Sequence, residues 1–334
     1  KAADAAGGAR RAMLRYFADQ AYPDEGGSVC NDLNTVMFAL KASFERDARA
    51  GLLVDVGANT GQTTLEMVRF FEQRMLSVAP RKSQAILKEK FNKAVRRNRG
   101  DICLDANGPL RVHSFEANPL SHKLLRKVVR WELGSAEHNV SLHCALVSDA
   151  EGSARVYHRG AGDQEASASR ATVRDVGEDL DRSSEVEAVT LDGFFAAERR
   201  AIHLLKVDTE GFDPVVLRGA RTLLSSAFVK FLVFEYSSKW RSAGHGITLK
   251  NTVDELEGHG YTCFLIKPNV LVPLTGPWWQ RVYEPQLQIF VANVFCGRTA
   301  DHDLFDAYVA FGTSSYALLY ALASLQLDGA PDRP

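Results

Sequence analysis

The chain is poor in the residues that build metal and redox sites. It has five cysteines in 334 residues, Cys30, Cys103, Cys144, Cys263 and Cys296, and no C-x-x-C pair, which argues against a structural zinc or a redox dithiol. Cys144 and Cys263 sit inside apolar runs and are expected as buried free thiols. Nine histidines are present, none at metal-ligand spacing. His113, His143 and His203 fall in strand-like runs and are expected as core or edge residues rather than as a catalytic base. Long apolar runs are missing: none approaches the ~20 residues of a membrane span. An excess of one charge is missing too. The formal net charge of −1 argues against bulk electrostatic binding to nucleic acid and leaves only a local basic patch for that purpose. There is no internal repeat. The first residue is Lys1, not Met, which leaves room for an upstream anchor or targeting peptide. A cytoplasmic chain is the expectation, with a secretory-pathway lumen as the alternative.

What is present is organised around residues 52–71, LLVDVGANTGQTTLEMVRFF. Leu52-Leu53-Val54 reads as a strand buried on both faces. Asp55-Val56-Gly57-Ala58-Asn59-Thr60-Gly61 follows, and then a helical pattern with Leu65, Val68 and Phe71 on one side. A strand, a glycine-rich turn and a helix N-terminus make a nucleotide-sized pocket. The spacing is neither GxGxxG nor a P-loop, because Gly57 and Gly61 are four apart and no Gly-Lys-Ser/Thr follows. Asp55 suits a cationic or hydroxyl-bearing ligand better than a triphosphate.

Upstream, Met13, Leu14, Phe17 and Ala18 predict a short surface helix. Leu33, Val36, Met37, Leu40 and Phe44 predict a second one, capped by Asn31 or Asp32, that packs on the sheet or lids the pocket. Residues 74–100 hold nine Lys/Arg against one acid, Glu89, over a helical apolar stripe. This basic insertion is either a solvated helix or a surface for phosphate, sulfate, acidic glycan or membrane. Arg111 to Glu116 is the second strand, and Pro119 starts a helix at its favoured first position. Val140 to Val147 is the third strand, with Gly152 to His158 a hairpin off it. Residues 159–185 form a long polar loop, Val186 to Leu191 a strand and Asp192 to Arg200 a helix. His203 to Gly211 is an apolar strand running into Asp208 and Glu210. Asp213-Pro214 begins a helix through Leu224, and Val229 to Tyr236 is a strand with Glu235 near its end. A helix over 248–259, a strand Tyr261 to Lys267, a Pro/Trp-rich loop 268–279, a strand Leu287 to Phe295 and a mostly helical tail complete the chain.

DVGANTGQTTL (55–65), FEANP (115–119), LLKVDTEGFDPVVLRGA (204–220) and FLVFEY (231–236) occur in an order that resembles the FkbM family of S-adenosylmethionine-dependent methyltransferases. The K-[IV]-D-x-E-G-x-[ED]-x-x-V-L-x-G-A run is the most specific part, and the resemblance covers about residues 50–265. It implies an α/β fold with a seven-stranded sheet, parallel except for an antiparallel last strand, with helices on both faces. The chain is accordingly expected to divide into a methyltransferase domain over 51–297, carrying the insertion 74–110 and the loop 159–185, and helical extensions 1–50 and 298–334. The insertion, the first 50 residues and residues 268–334 depart from the family pattern.

The resemblance gives residues their expected roles. Gly57 and Gly61 let the loop pass under the amino-acid end and ribose of S-adenosylmethionine, with Asn59 in the same loop. Asp55 holds the ammonium, Glu116 takes the ribose hydroxyls with Asn118 beside it, and backbone groups from Ala145 to Ser148 edge the adenine. Asp208, Glu210 and Glu235 end adjoining strands, where they serve as base and supports for O-methylation, or hold a divalent metal through Asp208 and Glu235. The bland alternative is that Glu210 and Glu235 only position Lys206 or loop N–H groups. The expected acceptor is a hydroxyl of a sugar, glycolipid or secondary metabolite. Two competing readings are a nucleic-acid methyltransferase using residues 74–100, which lacks an N/D-P-P-Y/F motif, and a non-catalytic cofactor-binding scaffold.

Overall fold

The structure, a computed structural model, describes residues 36, 40, 43, 44, 51–71, 110–133, 139–158, 167–169, 183–242, 246–267, 270–284 and 291–311. The helix expected over 1–20, the basic stretch 74–100 and most of the loop 159–185 lie outside these residues, as does the tail beyond Phe311.

In chain order the first half holds β1 (Leu52–Val56), α1 (Gln62–Phe71), β2 (Arg111–Phe115), α2 (Pro119–Leu133), β3 (Val140–His143), β4 (Ala145–Val147), β5 (Gly152–Tyr157), β6 (Ser167–Ser169), β7 (Ser183–Val189) and α3 (Leu191–Phe194). The second half holds β8 (Ile202–Val207), α4 (Asp213–Arg218), α5 (Arg221–Ser225), β9 (Val229–Tyr236), α6 (Lys239–Ser242), α7 (Leu249–Gly258), β10 (Tyr261–Lys267), β11 (Val270–Pro273), β12 (Ala292–Arg298) and α8 (His302–Phe311). β1 and β8 are buried at every position, as central strands covered on both faces must be.

The main sheet has eight strands in the order β11-β10-β12-β9-β8-β1-β2-β3. β3, β2, β1, β8 and β9 run parallel, and β12 is antiparallel to both of its neighbours. With β11 set aside, this is the expected seven-stranded arrangement. The extra strand falls within the Pro/Trp-rich segment: Val270-Leu271-Val272 folds back on β10. It occupies the sheet edge, where Pro273 leaves no inward ladder bond unmade.

Several boundaries differ from expectation for local reasons. The third strand divides at Cys144, so that β3 stays in the main sheet while β4 pairs with β7 in a second, four-stranded sheet. β5 pairs antiparallel with β7 in that sheet, and β6, within the predicted loop 159–185, adds to β5. The helix predicted over 192–200 stops at Phe194. Beyond it the Glu198 carboxylate accepts the N–H groups of Arg199 and Arg200, each at 2.9 Å, and this competes with continued helix. The helix from Asp213 is broken at Gly219 into α4 and α5. The last strand begins at Ala292, and residues 285–290 are not described.

Both ends of the chain contribute to the core. Val36 and Leu40 are fully buried, and Phe44 stands edge-on to His203. Leu304 and Tyr308 of α8 are buried, and Asp303 pairs with Lys230 and accepts from Ser43 Oγ at 2.7 Å.

The cysteine reading is corrected. Cys263 and Cys296 face each other across β10 and β12 and are joined by a disulfide, while Cys144, at the kink between sheets, is free and exposed. Peptide mapping without reductant is expected to recover Cys263 and Cys296 as one linked pair, and iodoacetamide is expected to label Cys144 in the native protein. Recovery of Cys263 as an alkylated thiol would count against the pairing.

Candidate functional site

A cleft of about 400 Å³ opens at the carboxyl ends of β1, β2, β8 and β9, the position where ligands bind in open parallel sheets. Its floor is the turn after β1. The N–H groups of Gly57 and Ala58 both donate to the Phe115 carbonyl at 3.0 Å, and the Asp208 N–H donates to the Val56 carbonyl at 3.0 Å. Gly57 has φ +81°, and a Cβ there would lie 1.8 Å from the Asp208 carbonyl oxygen. The glycine is therefore required by the end of β8 as well as by the turn. Gly61, at φ +96°, does not line the cleft. A Cβ there would meet Leu125 of α2 at 2.5 Å, so its role is close helix packing.

Asn59 adopts the left-handed region at φ 47°, which asparagine tolerates better than most residues. Its N–H donates to Glu116 Oε2 at 2.7 Å, and Asn118 N–H donates to Oε1 at 2.8 Å. Glu116 thus braces both loops. Burial raises its carboxyl above the usual range, while those two N–H groups oppose the shift. Asn118 Oδ1 accepts from Leu120 N–H at 3.0 Å, capping α2. Asn59 Oδ1 is buried without a hydrogen-bond partner among the described residues.

Asp55 is fully buried and does not line the cleft. Strand alternation turns it beneath the turn, where it accepts from Thr64 Oγ1 at 2.7 Å and lies 3.3 Å from Lys206 Nζ. The same Nζ lies 3.3 Å from Asp208 Oδ2. Burial alone would lower the lysine's pKa. Asp208 and Asp55 outweigh it and hold the ammonium above its usual range. Ser148 is also away from the cleft: it is buried and its N–H donates to the Val189 carbonyl at 2.8 Å. Ala145, Leu146 and Val147 do line one wall.

Asp208, Glu210 and Glu235 all line the cleft. Glu210 has φ 56° and is ion-paired to Lys239. Burial raises its pKa and Lys239 opposes that. Asp213 lies behind them, fully buried. One of its oxygens accepts from Glu235 N–H at 3.3 Å. The other accepts from the Thr209 N–H at 3.3 Å and hydroxyl at 3.0 Å. Burial, then Asp208, pushes Asp213 up to about 7. Burial, then the charges of Asp208, Asp213 and Glu210, pushes Glu235 up to about 9.

Sequence reasoning missed Asp213 as a site residue, although it occupies the [ED] position of the quoted motif. It also missed Lys239 and Asn293. Asn293 stands opposite Glu235 in the sheet register and lines the cleft. No histidine among the described residues lines the cleft. His113 and His143 instead face each other at 3.1 Å across β2 and β3, and burial pushes His143 down to about 4. No group of three or more His, Cys, Asp or Glu among the described residues is arranged to hold a metal, and the carboxylates face lysines instead.

A sheet of this order, with the cleft at its carboxyl ends and an acid ending its second strand, defines a methyltransferase-like α/β protein. Residues 55–263 match the Methyltransferase FkbM domain, and the chain belongs to that family. Solved structures with similarity include an FkbM methyltransferase from Methylobacillus flagellatus (13% identity, 74% of this chain and 44% of that one, TM-score 0.40). A human methyltransferase 10 domain containing protein is also similar (7% identity, 88% and 83%, TM-score 0.30). So is a Burkholderia thailandensis protein bound to S-adenosyl-homocysteine (9% identity, 90% and 68%, TM-score 0.27). The chain thus spans less than half the length of the Methylobacillus relative. No curated protein matches it.

Two measurements check this geometry. Lys206→Met leaves Asp55 buried beside no cation, and urea unfolding is expected to register a loss of about 3–5 kcal/mol. An unchanged midpoint would show that the ion pair is not as drawn. For Glu235, a pKa raised from 4.5 to about 9 means that the folded chain keeps a proton the unfolded chain has lost. The group therefore costs stability increasingly as pH rises through that window. Glu235→Gln keeps the neutral form, so its melting temperature is expected to gain on wild type by a few degrees between about pH 5 and about pH 9. A pH-independent difference would remove the perturbation.

Proposed function

We propose that the cleft binds S-adenosylmethionine and that the protein transfers its methyl group to a hydroxyl of a sugar, glycolipid or secondary-metabolite acceptor. The family membership supports methyl transfer. The observation that carries the finer reading is the placement of Glu116 and Asp208 at opposite sides of the Gly57 turn, one ending β2 and the other following β8. The residues fit the cofactor. Glu116 Oε1 and Oε2 each retain a lone pair for a ribose hydroxyl. The unpartnered Asn59 Oδ1 accepts from a donor on the ligand. Leu146 and Val147 offer an apolar wall to adenine. Asp55, bonded beneath the turn, orients Lys206 and Thr64 rather than touching the ammonium.

When bound, the cofactor supplies an electrophilic methyl group on a sulfonium. Asp208 would take the proton of the acceptor hydroxyl as the oxygen–methyl bond forms and the methyl–sulfur bond breaks, its electron pair staying on the sulfur of the departing S-adenosylhomocysteine. Its Oδ2 is engaged by Lys206, so Oδ1 is the oxygen that receives it. Glu235, carrying a proton at neutral pH, donates a hydrogen bond within the cleft, and Glu210 with Lys239 closes its rim. Asp208 and Glu235 as ligands of a divalent metal is the alternative use of the same groups.

Isothermal titration is expected to show S-adenosylhomocysteine binding that Glu116→Ala weakens by ~1–3 kcal/mol. No binding by the intact protein would end this reading. Asp208→Asn is expected to lower turnover about 10²-fold or more with cofactor affinity nearly intact, and near-normal turnover would take Asp208 out of the chemistry. Activity lost to EDTA and restored by magnesium or manganese would select the metal role. Comparing methylated glycans and metabolites by mass spectrometry in cells with and without the protein identifies the acceptor.

A further inference from the structure

The outward face of α2 has no part in the cleft. Ser121, Leu125, Val129 and Leu133 bury one side of this helix against the core. On the other side Leu120 is 45% exposed, Leu124 36% and Trp131 87%. At 3.6 residues per turn these three fall within an arc of about 40° and make a stripe ~16 Å long. Lys127, Lys123, Arg130 and Arg126, all exposed, follow around the helix on one flank of that stripe. The exposed acid of the helix is Glu132. Single exposed hydrophobics need no explanation, but here three align with a tryptophan at one end and four cations alongside.

We propose that this face of α2 docks on an anionic membrane surface. A stripe on a convex helix offers no groove for a peptide. Leucine, tryptophan and a basic flank are what an interfacial helix presents, with the apolar side chains entering the headgroup boundary and the long basic ones reaching the lipid phosphates. The charge complementarity is with the negative surface of a bilayer rather than with its interior. No helix among the described residues is long and apolar enough to cross a membrane, so the contact is peripheral. The stripe begins two residues after Asn118 of the cleft wall, so docking brings that edge of the cleft to the lipid surface. The proposal does not depend on the identity of the acceptor.

The test is flotation of the full chain with phosphatidylcholine vesicles with and without phosphatidylserine. Binding is expected only with phosphatidylserine and is expected to be lost at high salt. Trp131→Ser is expected to weaken it about tenfold, as is the double change Lys123→Gln and Arg130→Gln. Both leave the thermal melt and S-adenosylhomocysteine titration as in wild type, because these side chains are exposed and outside the cleft. Failure of cofactor binding with vesicle binding intact would count against the proposed function alone. The docking proposal is overturned by absence of flotation, or by flotation that ignores both α2 variants. It is equally overturned by binding that persists in those variants and disappears when Arg96, Arg97 and Arg99 become Gln. Concentration-dependent self-association abolished by Trp131→Ser, without flotation, would assign the stripe to a second copy of the chain and also overturn it.

Discussion

The site depends on one buried cation. Lys206 stands beside Asp55 in the register of β8 and β1, and its ammonium lies 3.3 Å from both Asp55 and Asp208. A charge taken out of water costs several kcal/mol unless it is well paired, so all three groups are tolerable only together. Thr64 of α1 donates to Asp55 and sits 2.9 Å from Ser114 of β2. The ion triad therefore ties the two central strands, the helix after the glycine turn and the adjacent strand into one unit.

A second carboxylate plays the corresponding part on the other side. Asp213 joins the loop after β8 to the end of β9 through Thr209 and Glu235. Four acidic side chains then share a small volume with two lysines. Burial, and then the like charges of Asp208, Asp213 and Glu210, push the Glu235 carboxyl up to about 9. That shift arises from burial and from the crowding of acids, with no histidine among the described residues lining the cleft.

Most of the main sheet was legible because its strands are short apolar runs ending in chemistry-bearing residues: Leu52 to Val56, His203 to Val207, Val229 to Tyr236. Five of the eight residues expected around the cofactor, Gly57, Asn59, Glu116, Asn118 and Ala145, line the cleft, together with all three expected catalytic carboxylates. Asp55, Gly61 and Ser148 do not, for reasons no motif encodes. Strand alternation turns Asp55 under the turn, Gly61 answers to Leu125 of a helix ~60 residues on, and Ser148, just past β4, is buried and bonded to the Val189 carbonyl. Two strands of the second sheet, Gly152 to Tyr157 and Ser183 to Val189, were largely anticipated, but not their separation from the main sheet, because nothing in Val140 to Val147 marks the division at Cys144. The disulfide was missed because an odd cysteine count and wide spacing carry no pairing information, whereas antiparallel register places Cys263 opposite Cys296.

The contact between Gly57 and the Asp208 carbonyl has a bearing on how such a site diversifies. There is no space there for even a methyl group, so the turn after β1 and the residue following β8 share a backbone boundary. Substitutions on either side act on the other through displaced main chain, and their effects do not add. Val291 and Asn293, which also line the cleft, lie outside that contact. The floor therefore admits no side chain at residue 57 unless the main chain after β8 moves with it.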